Sequence, residues 1–163
     1  MTTSPASTPR VAVVRSGGQT GVDRAALDVA RELGIPIAGW CPRGGWAEDR
    51  TQPPGLLTDY PELTETPARN PDQRTDWNVR DSDATLILLP PDGTESPGTI
   101  LTREAAAALG RPLFVLGKVE PAAVRAWLEG LGTGITLNVA GPRESEAPGA
   151  YARTRRLLRD VLG

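Results

Sequence analysis

Short apolar runs alternate along the chain with segments whose apolar residues recur every three or four positions. This alternation predicts βαβ units built into a parallel sheet. Residues 11–14 are an apolar run that reads as a buried strand, and 15–21 form the loop behind it. Val22, Ala26, Val29, Ala30 and Leu33 then fall on one helical face, which Gly34 ends. Residues 35–40 predict a second strand, whose early Pro36 points to a strand start or a sheet edge. From 42 to 75 Pro and Gly recur without sustained periodicity, which predicts a long irregular excursion of the functional or mobile kind. A short helix follows at 74–81, then a strand at 84–89, an Ala-rich helix at 102–109 closed by Gly110, and a strand at 113–116. Pro121 suits the first turn of a helix whose face is Val124, Trp127, Leu128 and Leu131. Residues 135–140 predict a strand, and 151–162 a helix with Leu157, Leu158, Val161 and Leu162 inward and its arginines outward.

No internal repeat or linker breaks this pattern. The expectation is one three-layer α/β domain over residues 11–163 behind a flexible tail at 1–10. Its sheet should be mostly parallel, with about five or more strands flanked by helices. The Ser, Thr and Pro of the tail do not resemble a signal peptide, and no apolar run approaches the ~18 residues of a membrane span.

Composition narrows the chemistry. A formal net charge of −2 provides no global basic field for a nucleic-acid backbone. The single cysteine, Cys41, permits no intrachain disulfide and suits a reducing compartment, so the expected location is cytoplasmic. Histidine is absent, which removes the usual general base and the commonest transition-metal ligand.

Ligands of open parallel sheets bind beyond the carboxyl ends of the strands. The segments expected there are 15–21, 41–45, 90–99, 117–121 and 141–149, most of them rich in Gly, Pro, Ser and Thr. In the first, Ser16, Gly17, Gly18, Gln19, Thr20 and Gly21 stand between a strand and a helix start. Glycines let backbone approach a phosphate there, and a helix N-terminus offers free N–H groups and a favourable dipole. The spacing is not that of an ordinary dinucleotide loop. The segment from Pro90 leads to Gly98, Thr99 and Thr102, with Gly98 and Thr99 expected just ahead of a helix as a second set of donors. Asp23 reads as complementing a helix dipole, and Asp28 reads either way. Arg15, Arg24, Arg43, Arg50, Arg74 and Arg143 fall in or near the expected mouth, where arginine forks match phosphate. Without histidine, Cys41 has little to activate it. Trp40, Trp46 and Trp77 read equally as core filler or as a stacking surface.

Several ordered motifs carry a resemblance. They are Ser16-Gly-Gly-Gln-Thr-Gly-Val-Asp-Arg-Ala-Ala-Leu27, Gly39-Trp-Cys-Pro42, Ala47-Glu-Asp49, Arg74-Thr-Asp-Trp-Asn-Val-Arg-Asp-Ser-Asp83 and Leu137-Asn-Val-Ala-Gly-Pro-Arg-Glu-Ser145. The chain resembles the molybdenum carrier proteins, the circularly permuted YpsA group of the SLOG superfamily. The resemblance implies a Rossmann-like fold, a homo-oligomer, and binding of molybdenum cofactor, a phosphorylated pterin whose metal is held by its own dithiolene. On that reading the phosphate sits on residues 16–21 and the pterin near the second loop with Gly98, Thr99 and Thr102, and Arg74 is a further ligand-binding residue. No metal is coordinated directly by the protein, and the receiving partner is a molybdoenzyme or a cofactor-insertion protein. One departure is the loop Gly93-Thr-Glu-Ser-Pro-Gly-Thr-Ile-Leu-Thr102, where the family leads one to expect a compact Gly-Gly-Ser-x-Leu-Thr turn.

Two other functions compete. The related LONELY GUY phosphoribohydrolases have an arginine ahead of an Asp-Ala strand and then Pro-Gly-Gly-x-Gly-Thr-x-x-Glu. Arg74, Asp83 and Ala84 match the first part, but Thr102 stands where the glutamate is expected. Hydrolysis of an N-glycosidic bond wants a carboxylate there, so the substitution favours binding without turnover, with no catalytic residue. A resemblance to a single-stranded-DNA-binding fold meets the acidic balance and few aromatics, which oppose a basic stacking groove.

Overall fold

The computed structural model describes residues 10–118 and 120–163. Residues 1–9 of the expected tail lie outside the described residues. Five strands form one parallel sheet in the order β2-β1-β7-β5-β6. These are β1 (Val11–Arg15), β2 (Ile37–Ala38), β5 (Ala84–Leu88), β6 (Leu113–Leu116) and β7 (Ile135–Ala140). Helices α1 (Val22–Glu32), α5 (Pro121–Leu131) and α6 (Ala150–Leu162) pack together on one face, and α3 (Pro71–Arg80) packs on α4 (Pro97–Leu109) on the other. The fold is the expected Rossmann-like α/β arrangement. No helix among the described residues is long and apolar enough to cross a membrane.

The two faces differ in chemistry, and the period of two along each strand is the cause. Leu86, Leu137 and Val139 turn to the α1/α6 side and join Val14, Val22, Val29, Leu157 and Leu158 in the main core. The residues between them include Thr85 and Asn138, which are paired in register and hydrogen-bonded at 3.4 Å. They face α3 and α4, which bring Asn78, Thr99 and Thr102 to the same buried layer. An apolar face holds the fold together, and a polar one underlies the candidate site.

Four sequence expectations need correction. The strand expected at 35–40 is broken at Gly39 into β2 and β3 (Trp40–Cys41), and β3 leaves the main sheet to pair with β4 (Thr64–Glu65). Pro36 directly precedes β2, which flanks the sheet, so both readings of that proline hold. The stretch 42–75 is not wholly irregular: it holds α2 (Leu56–Asp59), β4 and the start of α3. It closes a second core, in which Cys41, Ala47, Leu56, Tyr60 and Leu63 surround Leu27 of α1. Elements of two to four residues are too short for any periodic signal, which is why this core was invisible in the sequence. Helix α4 begins at Pro97 with Ser96 as its N-cap, so Gly98 and Thr99 lie in its first turn rather than ahead of it, and Thr102 follows in the second. Leu33, read as part of an apolar face, is 39% exposed at the end of α1.

Candidate functional site

The chain leaves β1 toward β2 on one side and builds β5, β7 and β6 on the other, so the strand order switches between β1 and β7. A crevice opens at that point, between the loop after β1 and the helices α3 and α4. Its inner recess is about 50 Å³, with Gly17, Asp23, Arg74, Thr102 and Asn138 in its wall. An outer chamber of about 520 Å³ shares Asp23, Arg74 and Gly98, and adds Gln19, Leu101 and Arg143. The recess holds little more than one small polar group, whereas the chamber takes the body of a small molecule.

Arg74 dominates the recess. Its guanidinium lies over Gly17, where a Cβ would stand 1.8 Å from Nη1. It donates to Asp23 Oδ2 at 3.2 Å, while its Nε is buried without a partner among the described residues. Asp23 is 6% exposed, and burial pushes its carboxyl above the ordinary value against the pull of Arg74. Beside this pair α4 presents its first turn. Ser96 Oγ accepts from the amide of Thr99 at 3.3 Å, and the amide of Gly98, in the same turn, lacks an intrahelical acceptor. The recess thus offers a guanidinium and helix-terminal N–H groups together with one carboxyl, while Asp72, Glu104 and Glu146 border the outer chamber.

Of the residues expected from sequence, Gly17, Arg74, Gly98, Thr99 and Thr102 meet in this crevice, and Gln19 borders its outer chamber. Ser16, Gly18, Thr20 and Gly21 do not line it, and their polar groups are used within the scaffold. Ser16 Oγ donates to Asp23 O at 2.9 Å and accepts from Gly18 N at 3.2 Å. Gly18, at φ +74°, turns its Cβ direction toward Leu56 and Leu63 of the second core, away from the crevice. Thr20 Oγ1 donates to Glu48 Oε1 and accepts from Glu144 N at 3.1 Å. Gly21 leaves room for Pro142 O, which accepts from Val22 N at 3.3 Å.

Sequence reading missed Asp23 and Asn138 as crevice residues. Asp23 follows the loop directly and was legible as a helix-start acid; its burial beside Arg74, 51 positions away in the chain, was not. Asn138 interrupts the apolar run of β7 as Thr85 does that of β5, and the two are signals that could have found the polar face. Cys41 is fully buried, and burial pushes its thiol up to about 11, so it is an inert core residue. Asp28 accepts from Tyr60 Oη at 2.6 Å and from Tyr151 Oη, which makes it a joint between the two cores.

The short motifs brace one another. Arg24 donates both Nη groups to Asp49, at 2.9 Å each, and its Nε to Gly18 O at 3.0 Å. Glu48 bridges Thr20 to Ser145, whose Oγ donates to Oε2 at 2.6 Å. Partial burial raises the Glu48 carboxyl, but hydrogen bonds from Ser145 and Thr20 prevail and hold it below its ordinary value. A carboxylate so depressed contributes stability above its unfolded pKa of about 4.3 and loses it as pH falls through the lower folded value. Glu48→Gln is therefore expected to cost about 1–2 kcal/mol at neutral pH. Urea titrations should show the gap from wild type closing as pH drops below the unfolded carboxylate value of about 4.3. A gap that stays constant would mean that the charge on Glu48 contributes nothing.

A sheet of this order, with a donor-lined crevice at its switch point, is a Rossmann-type arrangement, the kind in which ligands bind beyond the carboxyl ends of the strands. The family model described as circularly permutated YpsA SLOG matches residues 14–162, and the chain belongs to that family. It is also similar to the crystal structure of "Putative molybdenum carrier protein" from Syntrophus aciditrophicus SB. The two are 36% identical, with a TM-score of 0.84, over 96% of this chain and 98% of that one. No curated protein matches the chain significantly.

Proposed function

We propose that this protein binds and carries a small phosphorylated ligand, most specifically molybdenum cofactor, in the β1/β7 crevice. The observation that supports this best is the Arg74 guanidinium, held over Gly17 with its Nε unpartnered. Arginine forks recognise oxyanions through paired N–H groups. A phosphate in the recess would contact Arg74, Gly17 and the first turn of α4 at Gly98 and Thr99, with Thr102 behind. The pterin body would lie in the outer chamber against Leu101. Ser16, Gly18, Thr20 and Gly21 then serve by positioning Gly17 and Asp23 rather than by touching the ligand. The family membership and the carrier description of the similar crystal structure support the same reading. Among the described residues no three His, Cys, Asp or Glu gather to hold a metal ion, so the metal would arrive with its own dithiolene. A molybdoenzyme or insertion partner would then receive the cargo, and the carrier would act as a homo-oligomer.

Native mass spectrometry and thermal-shift titration with molybdenum cofactor, molybdate and nucleoside phosphates test this. A ligand at a hundredfold excess over Kd raises stability by about 2.7 kcal/mol. A shift with the cofactor but not with molybdate is expected, and no shift with any of them overturns the reading. Gly17→Ala is the informative variant. The group it meets is the Nη1 of Arg74 that pairs with Asp23, so the methyl pushes the guanidinium off that pair at a cost in stability, and the folded variant should bind about tenfold more weakly or worse. Gly18→Val would collide with Leu56 and Leu63 and reports on folding instead.

One observation favours a second reading, that of a nucleotide phosphoribohydrolase. Thr102 replaces the expected glutamate, yet Asp23 brings a carboxyl of raised pKa to the same recess, and Glu104 borders the outer chamber. Free base released from nucleoside monophosphates, and lost in Asp23→Asn, would establish it. A clean nucleotide panel would remove it.

A further inference from the structure

A second cavity lies on the opposite side of the segment that follows β7. Gly141 lines the crevice and Pro142 lines this other space, about 360 Å³ in volume. The partition is tight, because a Cβ on Gly141 would stand 2.5 Å from Leu88 O and 2.6 Å from Val22 Cγ2. Leu88 and Leu116, at the ends of β5 and β6, form the floor with Val22 of α1 and Leu157 of α6. All four are buried residues of the main core, so the cavity is an open mouth of that core. Its volume falls within the roughly 300–1,000 Å³ of small-molecule pockets.

Its polar groups are few and of one kind. Lys118 and Arg153 line it, and no acidic side chain does. Among the described residues neither cation forms an ion pair, and Arg153 donates only to Pro148 O at 3.3 Å. Thr154 also lines the space. It is 3% exposed, and its hydroxyl bonds to no other described residue. Leu and Val walls around a void leave dispersion contacts unmade, which an apolar occupant restores. Two unpaired cations and a free hydroxyl beside such walls call for an anionic head, and the arginine fork matches a carboxylate.

We infer that this cavity is a second ligand site, separate from the crevice, for a small amphipathic carboxylate whose apolar body lies on Leu88, Leu116 and Leu157 and whose head meets Arg153 and Lys118. Isothermal titration of the full chain with octanoate, octanol and octylammonium tests the assignment. Octanoate is expected to bind saturably with one-to-one stoichiometry, at least about tenfold tighter than the other two. Arg153→Glu should weaken it by a similar factor, and Gly17→Ala should leave it unchanged. If Arg153→Glu does not fold, Lys118→Glu on its exposed turn serves the same purpose. Absence of saturable binding, equal binding of octanol, or indifference to both charge reversals would overturn the inference. Loss of octanoate binding in Gly17→Ala would place that ligand in the crevice, and would likewise overturn it.

Discussion

Arg74→Ala is expected to lose about 3–5 kcal/mol of stability at neutral pH, as removal of one member of a buried ion pair does. The Arg74 and Asp23 side chains are only 11% and 9% exposed, and their 3.2 Å contact joins α3 to the start of α1. In the variant Asp23 keeps the burial that raises its carboxyl and loses the cation that opposes the rise. Its folded pKa then stands further above the unfolded value of about 3.9. A group raised in this way favours the folded state at low pH and loses that contribution as pH climbs through the folded pKa. Urea denaturation of Arg74→Ala should therefore show stability recovering on acidification. Arg74→Ala/Asp23→Asn should lack that slope. If the single variant follows the wild-type pH profile, Asp23 is not the buried charge described here. Both variants should also fail to bind molybdenum cofactor, since the cation proposed to hold its phosphate is gone.

Gly39→Ala is the second large effect, expected at about 3–5 kcal/mol from backbone strain and overpacking together. Gly39 has φ +153°, and a Cβ there would stand 1.9 Å from Ser16 O, a backbone atom that cannot rotate away. The residue separates β2 from β3 and so turns the chain out of the main sheet toward the second core. Leu63 Cδ2, at 3.1 Å from the same point, shows how closely that core approaches the loop after β1. Thermal denaturation should show a large fall in Tm. A folded variant of wild-type stability would mean that the turn at 39 relaxes freely and does not hold the loop in place.

These two residues show what was legible. Gly39 belongs to a motif visible in the sequence, Gly39-Trp-Cys-Pro42, but nothing local distinguishes a strand break from a strand interior at that position. Trp40 N donates to Asn78 Oδ1 at 2.8 Å, and Asn78 Nδ2 returns to Trp40 O at 2.9 Å, so a side chain of α3 replaces a strand partner. Such a substitution of side chain for backbone has no periodic signature. Arg74 was read as a ligand residue from motif spacing, and the structure does place it in the crevice. Its pairing with Asp23 was missed, because each residue had a sufficient local explanation, one as a site arginine and the other as a helix-start acid.

By itself the sequence determined the parallel α/β plan. Four of the five sheet strands and the longer helices announce themselves through apolar runs and helical periodicity, both local consequences of burying one face of a regular element. It also placed Gly17, Arg74, Gly98, Thr99 and Thr102 among the residues expected to meet a ligand, and these five line one crevice. Only the tertiary structure decided which of the loop's groups remain free. Ser16, Thr20 and the amide of Gly18 already have partners, and hydrogen-bonding capacity spent inside the scaffold is not available to a ligand. It also decided that the excursion at 42–75 closes a second core, because its elements are held by pairings such as Arg24 with Asp49 and Tyr60 with Asp28. Those pairings join residues 25 and 32 positions apart, and local sequence carries no record of them.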